Sequence, residues 1–425
     1  NGIMSRRLSC RYIPGWLTLF GLGLSTTWLL AGLSALPAHA DIGPAGSGLT
    51  AGASDASTAF WSPAGITRLE QPELMIGATL AYTESRFEVD ESNISGGNAD
   101  NDTGLLAIPS VYYVHPIDNR WSLGATLTVP SGFGNEYGKD WSGRYLAEES
   151  DLAFVALAGT VGYRLNEQWS IGGGPIMMYT DSLSKARIND FGPKDGRIKL
   201  EEDGVGFGWQ AGLMYEFSDA ARIGMVYRAE IDPDLSGKPK FENIGPVLKG
   251  LLKATGIKGQ SIDVDFKVPE QVQLGYYQEF REDWSFTADA MWINMSNFGI
   301  NHVSVNSDMT SASASLDGSF RDMYVFTTGL RYQYRPDLAF SVGGAYATSA
   351  TSDARRTIAL PLDRVIAVGA GVEWEWKGFM IHNNLNYADL GDGDLDQDNG
   401  LAGRVKGSFD KNYAVVLDTQ IIWRF

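Results

Sequence analysis

Tyr413-Ala414-Val415-Val416-Leu417-Asp418-Thr419-Gln420-Ile421-Ile422-Trp423-Arg424-Phe425 ends the chain on a period of two. Tyr413, Val415, Leu417, Ile421, Trp423 and Phe425 fall on one face, and Asp418, Gln420 and Arg424 on the other. Successive side chains of a strand point to opposite sides. The stretch therefore reads as a β-strand with one apolar and one polar face. The same alternation recurs upstream, in segments of about ten residues or more, the length a tilted membrane strand needs. Fourteen such segments are found: 73–89, 104–115, 121–130, 151–164, 168–182, 204–217, 221–231, 262–280, 284–296, 320–334, 338–350, 364–375, 378–390 and 410–425.

The connections between them alternate in length. Pro116–Arg120, Leu165–Gln168, Ser218–Ala220, Arg281–Asp283, Arg335–Asp337 and Glu375–Lys377 are short, whereas 90–103, 131–150, 183–203, 232–261, 297–319, 351–363 and 391–409 are long. Six short turns interleaved with seven long loops suit an even-stranded outer-membrane barrel whose short turns face the periplasm. A soluble sandwich has no reason to sort its loops by length onto one end. Three short turns also end in one phrase: Asn119-Arg120-Trp121-Ser122-Leu123, Glu167-Gln168-Trp169-Ser170-Ile171 and Glu282-Asp283-Trp284-Ser285-Phe286. A Trp at one register after each turn fits an interfacial aromatic girdle; ordinary hairpin packing would not require the match. The predicted fold class is all-β, a 14-stranded antiparallel transmembrane β-barrel over 73–425, with a small N-terminal plug at 41–72 inside the lumen.

Composition agrees. After residue 40 no stretch reaches about 18 apolar residues, so no membrane helix is expected. A barrel gives the same result, because lipid-facing and lumen-facing residues average out. Residues 1–40 read as a secretory leader behind a start at Met4. Arg6, Arg7 and Arg11 form a basic region, Gly15–Leu33 an apolar run, and Ala38-His39-Ala40 a small-x-small cleavage site. A membrane anchor is the alternative reading, and the Ala-x-Ala site favours cleavage. Setting aside residues 1–40 removes those three arginines and no acid, leaving 31 basic and 51 acidic residues, a formal charge of −20. That balance argues against nucleic acid as a partner. Cys10 is the only cysteine and lies in the leader, so no disulfide is expected to hold the barrel.

If the apolar faces look at lipid, the others look inward. In 262–280 the outward set is Val264, Phe266, Val268, Val272, Leu274 and Tyr276, and the inward set Asp263, Asp265, Lys267, Gln271, Gln273 and Tyr277. In 378–390, Phe379, Ile381, Leu385 and Tyr387 oppose His382, Asn384 and Asn386, while Arg222, Arg228 and Arg331 face inward elsewhere. A polar lumen is expected. Fourteen strands enclose more space than wall side chains fill, so water or a plug must occupy it. The plug candidate carries Ser54-Asp55-Ala56-Ser57-Thr58-Ala59-Phe60-Trp61-Ser62-Pro63-Ala64-Gly65.

These residues resemble the long-chain fatty-acid transporter (FadL) family, which includes aromatic-hydrocarbon uptake proteins. The family's N-terminal phrase, Asp-Ala-Ser-Thr, then aromatic or apolar residues, then Asn-Pro-Ala-Gly, is matched by Asp55–Thr58, Ala59-Phe60-Trp61 and Ser62-Pro63-Ala64-Gly65. Val129-Pro130 with Phe133-Gly134, Glu136-Tyr137, Trp141 and Gly143-Arg144-Tyr145 is similar to the family's third strand and following loop. Pro269–Gly275 with Trp284 to Trp292, and Gly329–Tyr332 with Gly343–Tyr346 and Leu360-Pro361, also resemble it, so the match spans 41–425. Ser62 replaces the family asparagine, and the segment before it is shorter. The terminal Phe425 resembles the signal read by the outer-membrane assembly machinery. The resemblance implies a plugged barrel without an open aqueous channel. It further implies a plug whose motif residues are Asp55, Ser57, Phe60, Trp61, Ser62, Pro63 and Ala64, with ligand capture among outer loops, a pocket over the plug, and sideways exit at a kinked third strand. Burial gains ~0.8 kcal/mol per methylene, so an apolar route ending in lipid avoids water throughout. Pro130, Gly132 and Gly134 are the candidates for the lateral gap, since Pro lacks a donor and Gly bends freely; the alternative is a strand simply ending at a loop.

Ile244–Ala254 reads as a short amphipathic helix, with Val247, Leu248, Leu251 and Leu252 as a capture surface beside Trp141 and Tyr145, or else as a cap on the barrel mouth. A fatty-acid carboxylate would want a cation, for which Arg222, Arg228, Arg331 and Lys267 are candidates; a neutral hydrocarbon would not. Asp392, Asp394, Asp396 and Asp398 alternate in a late loop, read as a solvated acidic stretch with divalent-ion binding as the alternative. His115, His302 and His382 have no nucleophile or carboxylate placed beside them by any motif, so neither enzyme chemistry nor a cofactor or metal is expected. The partners expected are a hydrophobic small molecule, outer-membrane lipid and lipopolysaccharide, with the chain a monomer. A surface adhesin or phage receptor and a general diffusion pore are the competing readings.

Overall fold

The computed structural model describes residues 43–100, 102–189, 194–246, 249–250, 262–306, 311–315, 320–353, 356, 358, 363–398 and 403–425. The leader at 1–40 therefore lies outside the described residues. Fourteen strands form the wall. They are β1 (Glu73–Ser92), β2 (Asp102–Pro116), β3 (Trp121–Glu136), β4 (Glu149–Arg164), β5 (Trp169–Ile188), β6 (Gly196–Ser218) and β7 (Ala221–Arg228). They continue as β8 (Gln271–Arg281), β9 (Trp284–Ile293), β10 (Met323–Arg335), β11 (Leu338–Ala347), β12 (Val365–Trp376), β13 (Phe379–Asp389) and β14 (Arg404–Arg424). Each pairs antiparallel with its neighbours, and β1 closes the ring on β14 from Glu73↔Arg424 to Ser92↔Val405. This closure pairs the first and last strands, whose edges lipid could not satisfy.

The opening alternation holds on β14. Leu417, Ile421, Trp423 and Phe425 are exposed, whereas Asp418 and Gln420 are buried. The Trp phrase acquires a physical reason. Trp121, Trp169 and Trp284 stand in register with Tyr163, Tyr215 and Tyr332 on the next strand, with ring centroids 4.4, 4.6 and 4.7 Å apart. Two of these turns are set by an Asx side chain. Asp118 Oδ1 accepts from the Arg120 and Trp121 amides at 2.7 and 2.8 Å, and Asn166 Oδ1 from those of Gln168 and Trp169 at 2.9 Å. The Trp121 amide first, then that of Arg120, holds the Asp118 carboxyl below its ordinary range.

Two expectations are corrected. The segment 262–280 is not one strand. Ile262–Lys267 pairs with Asp234–Gly237 and with Gly299–Asn306 in the outer loops, and only Gln271–Arg281 enters the wall. Pro269 supplies no ladder donor at the break. Phe266 accordingly faces Phe154 and Phe298 rather than lipid, at 5.9 and 5.4 Å. The stretch 183–203 is largely a continued β5–β6 hairpin, paired as far as Ile188↔Gly196. Above the membrane its outward face turns charged, with Lys185, Arg187, Arg197, Lys199 and Glu201 where lipid-facing residues would stand, while Ala186, Ile188, Ile198 and Leu200 take the inward face.

The lumen is also not uniformly polar. Along β4 the inward side runs Gly162, Thr160, Ala158, Ala156, Phe154, Leu152 from the periplasmic turn outward. The periplasmic half is polar and the outer half apolar.

Candidate functional site

The polar half of the lumen holds the plug. Thr58–Trp61 forms a single helical turn and Pro63–Arg68 a 3-10 turn, joined at buried Ser62. Its backbone groups find partners on the wall, as buried backbone must. Thr160 Oγ1 and Gln210 Nε2 donate to the Ala59 carbonyl at 2.6 and 3.1 Å, and Arg228 donates to the Phe60 carbonyl at 2.9 Å. Arg164 donates to the Thr67 carbonyl at 2.6 Å, and Arg222 to the Ala51 carbonyl at 2.7 Å and to that of Gly52. On the acceptor side, Asp289 takes the Gly48 and Thr50 amides at 2.8 and 3.0 Å, and Asn386 takes the Ala45 amide at 2.7 Å. Within the plug, Asp55 Oδ1 accepts from Ser57 N and Oγ at 3.0 and 2.5 Å. Phe60 lies edge-on to Trp61 at 4.8 Å, beneath the Arg228 guanidinium at 4.4 Å. The substitution of Ser62 for asparagine leaves the turn closed: Ser62 N donates to Thr58 O at 3.0 Å, and its carbonyl accepts from Gly65 N at 2.7 Å.

The plug lies so close to the wall that side chains are missing there. A Cβ on Gly172 would meet Pro63 O at 2.2 Å, on Gly343 Pro44 O at 2.1 Å, and on Gly224 Thr50 O at 2.8 Å. Gly172 and Gly224 were not singled out from the sequence, and Gly343 only within a family phrase. Their signal was an inward-facing Gly inside a strand, where close backbone approach is a usual cause.

Above the plug, Leu106, Ile108, Leu152, Phe154, Ile176 and Met178 join Trp61 and the loop rings Phe266 and Phe298 in one apolar cluster. The wall beside it is incomplete. The ladder of β2 on β3 runs from Pro116↔Ser122 to Val111↔Leu127 and stops. Beyond it β2 keeps pairing with β1 down to Asp102↔Ser85, and β3 with β4 up to Glu136↔Glu149. A bulge on β3 between Thr128 and Ser131 contains Pro130, while Gly132 and Gly134 remain in register with Ala153 and Asp151 of β4. Pro109 on β2, not singled out from the sequence, stands just past the last pair and also lacks a donor.

The four cations named for a ligand carboxylate are engaged elsewhere. Arg222 and Arg228 bind the plug, and Arg222 also lies 3.6 Å over the Tyr277 ring. Arg331 grips both Glu373 oxygens at 2.9 and 3.0 Å, and Lys267 pairs with Glu230 at 2.6 Å. Buried charge needs a partner, and here the protein supplies it. Trp141 is not an open capture surface either. It is buried among Phe87, Tyr137, Ile358, Leu395 and Phe409 in a cap made by the loops, and Nε1 donates to Ala147 O at 2.9 Å. Tyr145 donates to Asp195 at 2.6 Å beneath Arg144, tying two loops together. Val247, Leu248, Leu251 and Leu252 lie outside the described residues.

A cavity of about 330 Å³ of mixed lining lies on the periplasmic side of the plug, bordered by Arg222, Tyr277, Arg331, Glu373, Leu330 and Met380 among others. In the late acidic loop, Asp396 is clamped by Arg404 at 2.7 Å through each oxygen, which holds its carboxyl below the ordinary range. His115 meets only the Tyr113 hydroxyl, at 3.0 Å, among the described contacts.

A plug-filled barrel with an interrupted third-strand ladder invites comparison with known proteins. The family model described as outer membrane protein transport protein (OMPP1/FadL/TodX) matches residues 30–425. The chain belongs to this family. It is an outer-membrane protein of the Gram-negative type. It is 26% identical over 367 residues to the long-chain fatty acid transport protein of Escherichia coli O6:H1, covering 79% of this chain and 81% of that one. It is 27% identical over 351 residues to the 47 kDa outer membrane protein of Pasteurella multocida, covering 77% and 80%. Among solved structures, a Pseudomonas aeruginosa FadL homologue superposes with a TM-score of 0.82 at 17% identity, covering 94% of this chain and 99% of that one. The Ralstonia pickettii toluene transporter TbuX gives a TM-score of 0.66 at 19% identity, covering 94% and 98%. At those identities the superpositions speak to the fold of this OMPP1/FadL/TodX family member, not to its cargo.

Proposed function

We propose that this chain takes up hydrophobic small molecules across the outer membrane, passing them from the apolar chamber above the plug sideways into lipid between β2 and β3. The observation that carries the reading is the β2–β3 ladder ending at Val111↔Leu127 beside that chamber. Leu106 and Ile108 line the unpaired part of β2 on the inside, while Leu105 faces lipid at 68% exposure. The route is downhill for an apolar solute, since its hydrocarbon never returns to water. The plug, pinned from opposite sides of the wall, opposes the reading as a general diffusion pore. The names of the relatives, a long-chain fatty acid transport protein and a toluene transporter, bracket the cargo class. The protein works as a monomer, does no chemistry on its cargo, and enters the membrane through recognition of the terminal Phe425.

Two measurements test this together. Cells expressing the chain should accumulate a radiolabelled hydrocarbon or fatty acid faster than cells lacking it. Planar bilayers containing the protein should carry no large steady current. Accumulation equal to that of control cells would leave the surface-adhesin reading standing, and a large steady current would favour the open pore.

A further inference from the structure

The ladder of β6 on β7 also breaks. It ends at Gln210↔Arg228 and resumes at Asp203↔Ser236, beyond the end of β7. Seven steps along β6 face eight on the other side, so one residue is in excess, and Pro233 within the break has no N–H to give. Ala229 N still donates to Trp209 O at 3.0 Å, and the chain then leans inward. There the inward positions of β6 are Gly204, Gly206 and Gly208. A Cβ would meet Asp234 O at 2.4 Å on Gly204, Ile231 Cγ2 at 2.6 Å on Gly206 and Ile231 Cγ1 at 2.5 Å on Gly208. Ile231 exchanges backbone hydrogen bonds with Val268 at 2.9 and 3.0 Å, and Asp234–Gly237 pairs with Ile262–Asp265. The segment Ile231–Leu235 is therefore bonded to the far side of the break and meets the glycines of β6 by packing.

This breach borders the same chamber as the one between β2 and β3. Thr128, at the bulge of β3, pairs with Ala156, Ala156 with Met178, and Met178 with Gly206. Both breaches thus stand on one hydrogen-bonded row, at the two edges of the β3–β6 panel. Ile231 and Leu235 are buried in the apolar cluster that holds Phe154 and Met178. On the lipid side, Phe207 at 73% and Leu105 at 68% are the most exposed large apolar side chains among the described residues, and each stands beside a breach. The outward face of β5–β6 passes here from Met177 and Phe207, through Tyr179 and Val205, to Asp181 and Asp203. A tyrosine between apolar and charged rows marks a membrane–water boundary, so the breach opens where outer-leaflet lipid meets water. We propose that it is a second lateral port of the chamber, an entrance closed at rest by Ile231–Leu235. Apolar molecules dissolved in the outer leaflet pass Phe207, displace that segment and reach the chamber without their hydrocarbon crossing water. The proposal rests on the uptake reading above and adds an entrance to its exit.

The test locks the segment in place. A Cβ on Gly208 lies 2.5 Å from Ile231 Cγ1, which brings the two Cβ atoms within the roughly 3.5–4.5 Å that a disulfide spans. In cells expressing the full chain as Gly208→Cys/Ile231→Cys, uptake of radiolabelled dodecane and dodecanoate should fall several-fold on oxidation and recover on reduction. Ile231→Cys alone should not respond to either treatment. Equilibrium binding of the two probes to the double variant in lipid nanodiscs, with empty nanodiscs subtracted, should be the same oxidised or reduced, since a shut port slows entry without altering the chamber. Gly206→Ala, which pushes Ile231 and Pro233 off β6, should raise uptake. Undiminished uptake by a barrel fully cross-linked at 208 and 231 overturns the entrance while leaving uptake and the β2–β3 exit intact. A fall in equilibrium binding that matches the fall in uptake overturns it as well, because it marks a distorted chamber. If cells with the parent chain take up neither probe faster than cells without it, the uptake reading fails, and this one with it.

Discussion

Gly172→Ala should unseat the plug without unfolding the barrel. An added Cβ at this β5 position would lie 2.2 Å from Pro63 O, 2.4 Å from its carbonyl carbon and 2.8 Å from Ala64 N, where ordinary contact begins near 3.4 Å. All three are backbone atoms, so no rotamer change relieves the clash, and the turn must move by about 1 Å. Nearby lie the Thr67–Ser170 bond at 2.9 Å and the Arg164–Thr67 carbonyl bond at 2.6 Å, which a shift of that size stretches or breaks. Overpacking plus a weakened bond or two costs about 1–3 kcal/mol, or about 5- to 150-fold in the seated-to-unseated ratio. The barrel ladders around Gly172, on Gly162 and Gly212, are untouched. Single-channel recording should therefore show transient openings in the variant and few in the parent, and protease should reach residues 43–68 sooner. Heat-modifiable migration, which reports the closed barrel, should be unchanged. A silent channel with a protease-resistant plug would refute the close-packing account.

Other perturbations separate the parts. Asp289→Ala strips two plug amides of a buried carboxylate acceptor and should cost about 2–5 kcal/mol of plug seating, seen as faster hydrogen exchange at Gly48 and Thr50 with the wall still protected. Trp141→Ala removes the centre of the outer cap and should cost about 3–5 kcal/mol there, read as new cleavage in the outer loops while the barrel stays heat-modifiable. Trp169→Ala loses the ring contact with Tyr215, about 0.5–1.5 kcal/mol, and should lower the denaturant midpoint for unfolding from bilayers slightly. Asp396 has its carboxyl depressed by Arg404. Its contribution is thus present above the unfolded-state value and lost as pH falls through the folded one. Acid should loosen the loop in the parent and change nothing further in Asp396→Asn, as followed by loop proteolysis against pH.

The barrel was legible because membrane strands must alternate and turns must differ in length from loops. Those constraints act on every strand, so all fourteen could be found, and the Trp phrase marked the periplasmic side. What escaped depended on contacts between distant residues. Nothing local in Arg222 or Arg228 tells a ligand cation from one satisfied by plug carbonyls. Trp141 looks like a capture residue until Phe87 and Phe409 are seen to enclose it. The continuous pattern through 262–280 hid a change of partner strand, though Pro269 marked the break. Pro130 drew attention to the gap, whereas Pro109 and the inward glycines passed as ordinary strand residues. The division of the lumen into a polar floor and an apolar chamber could have been read along β4, where Thr160 gives way to Phe154 and Leu152.

The central claim is that cargo leaves through the wall between β2 and β3. Ile108 and Ser131 face inward from the two sides of the unpaired stretch, and the only native cysteine, Cys10, lies ahead of the barrel. Uptake of a radiolabelled hydrophobic compound should be measured for Ile108→Cys/Ser131→Cys, oxidised and then reduced, beside each single variant. Oxidation should suppress uptake in the double variant alone, and reduction should restore it. Undiminished uptake through a barrel shown by mass spectrometry to be fully cross-linked would contradict lateral exit.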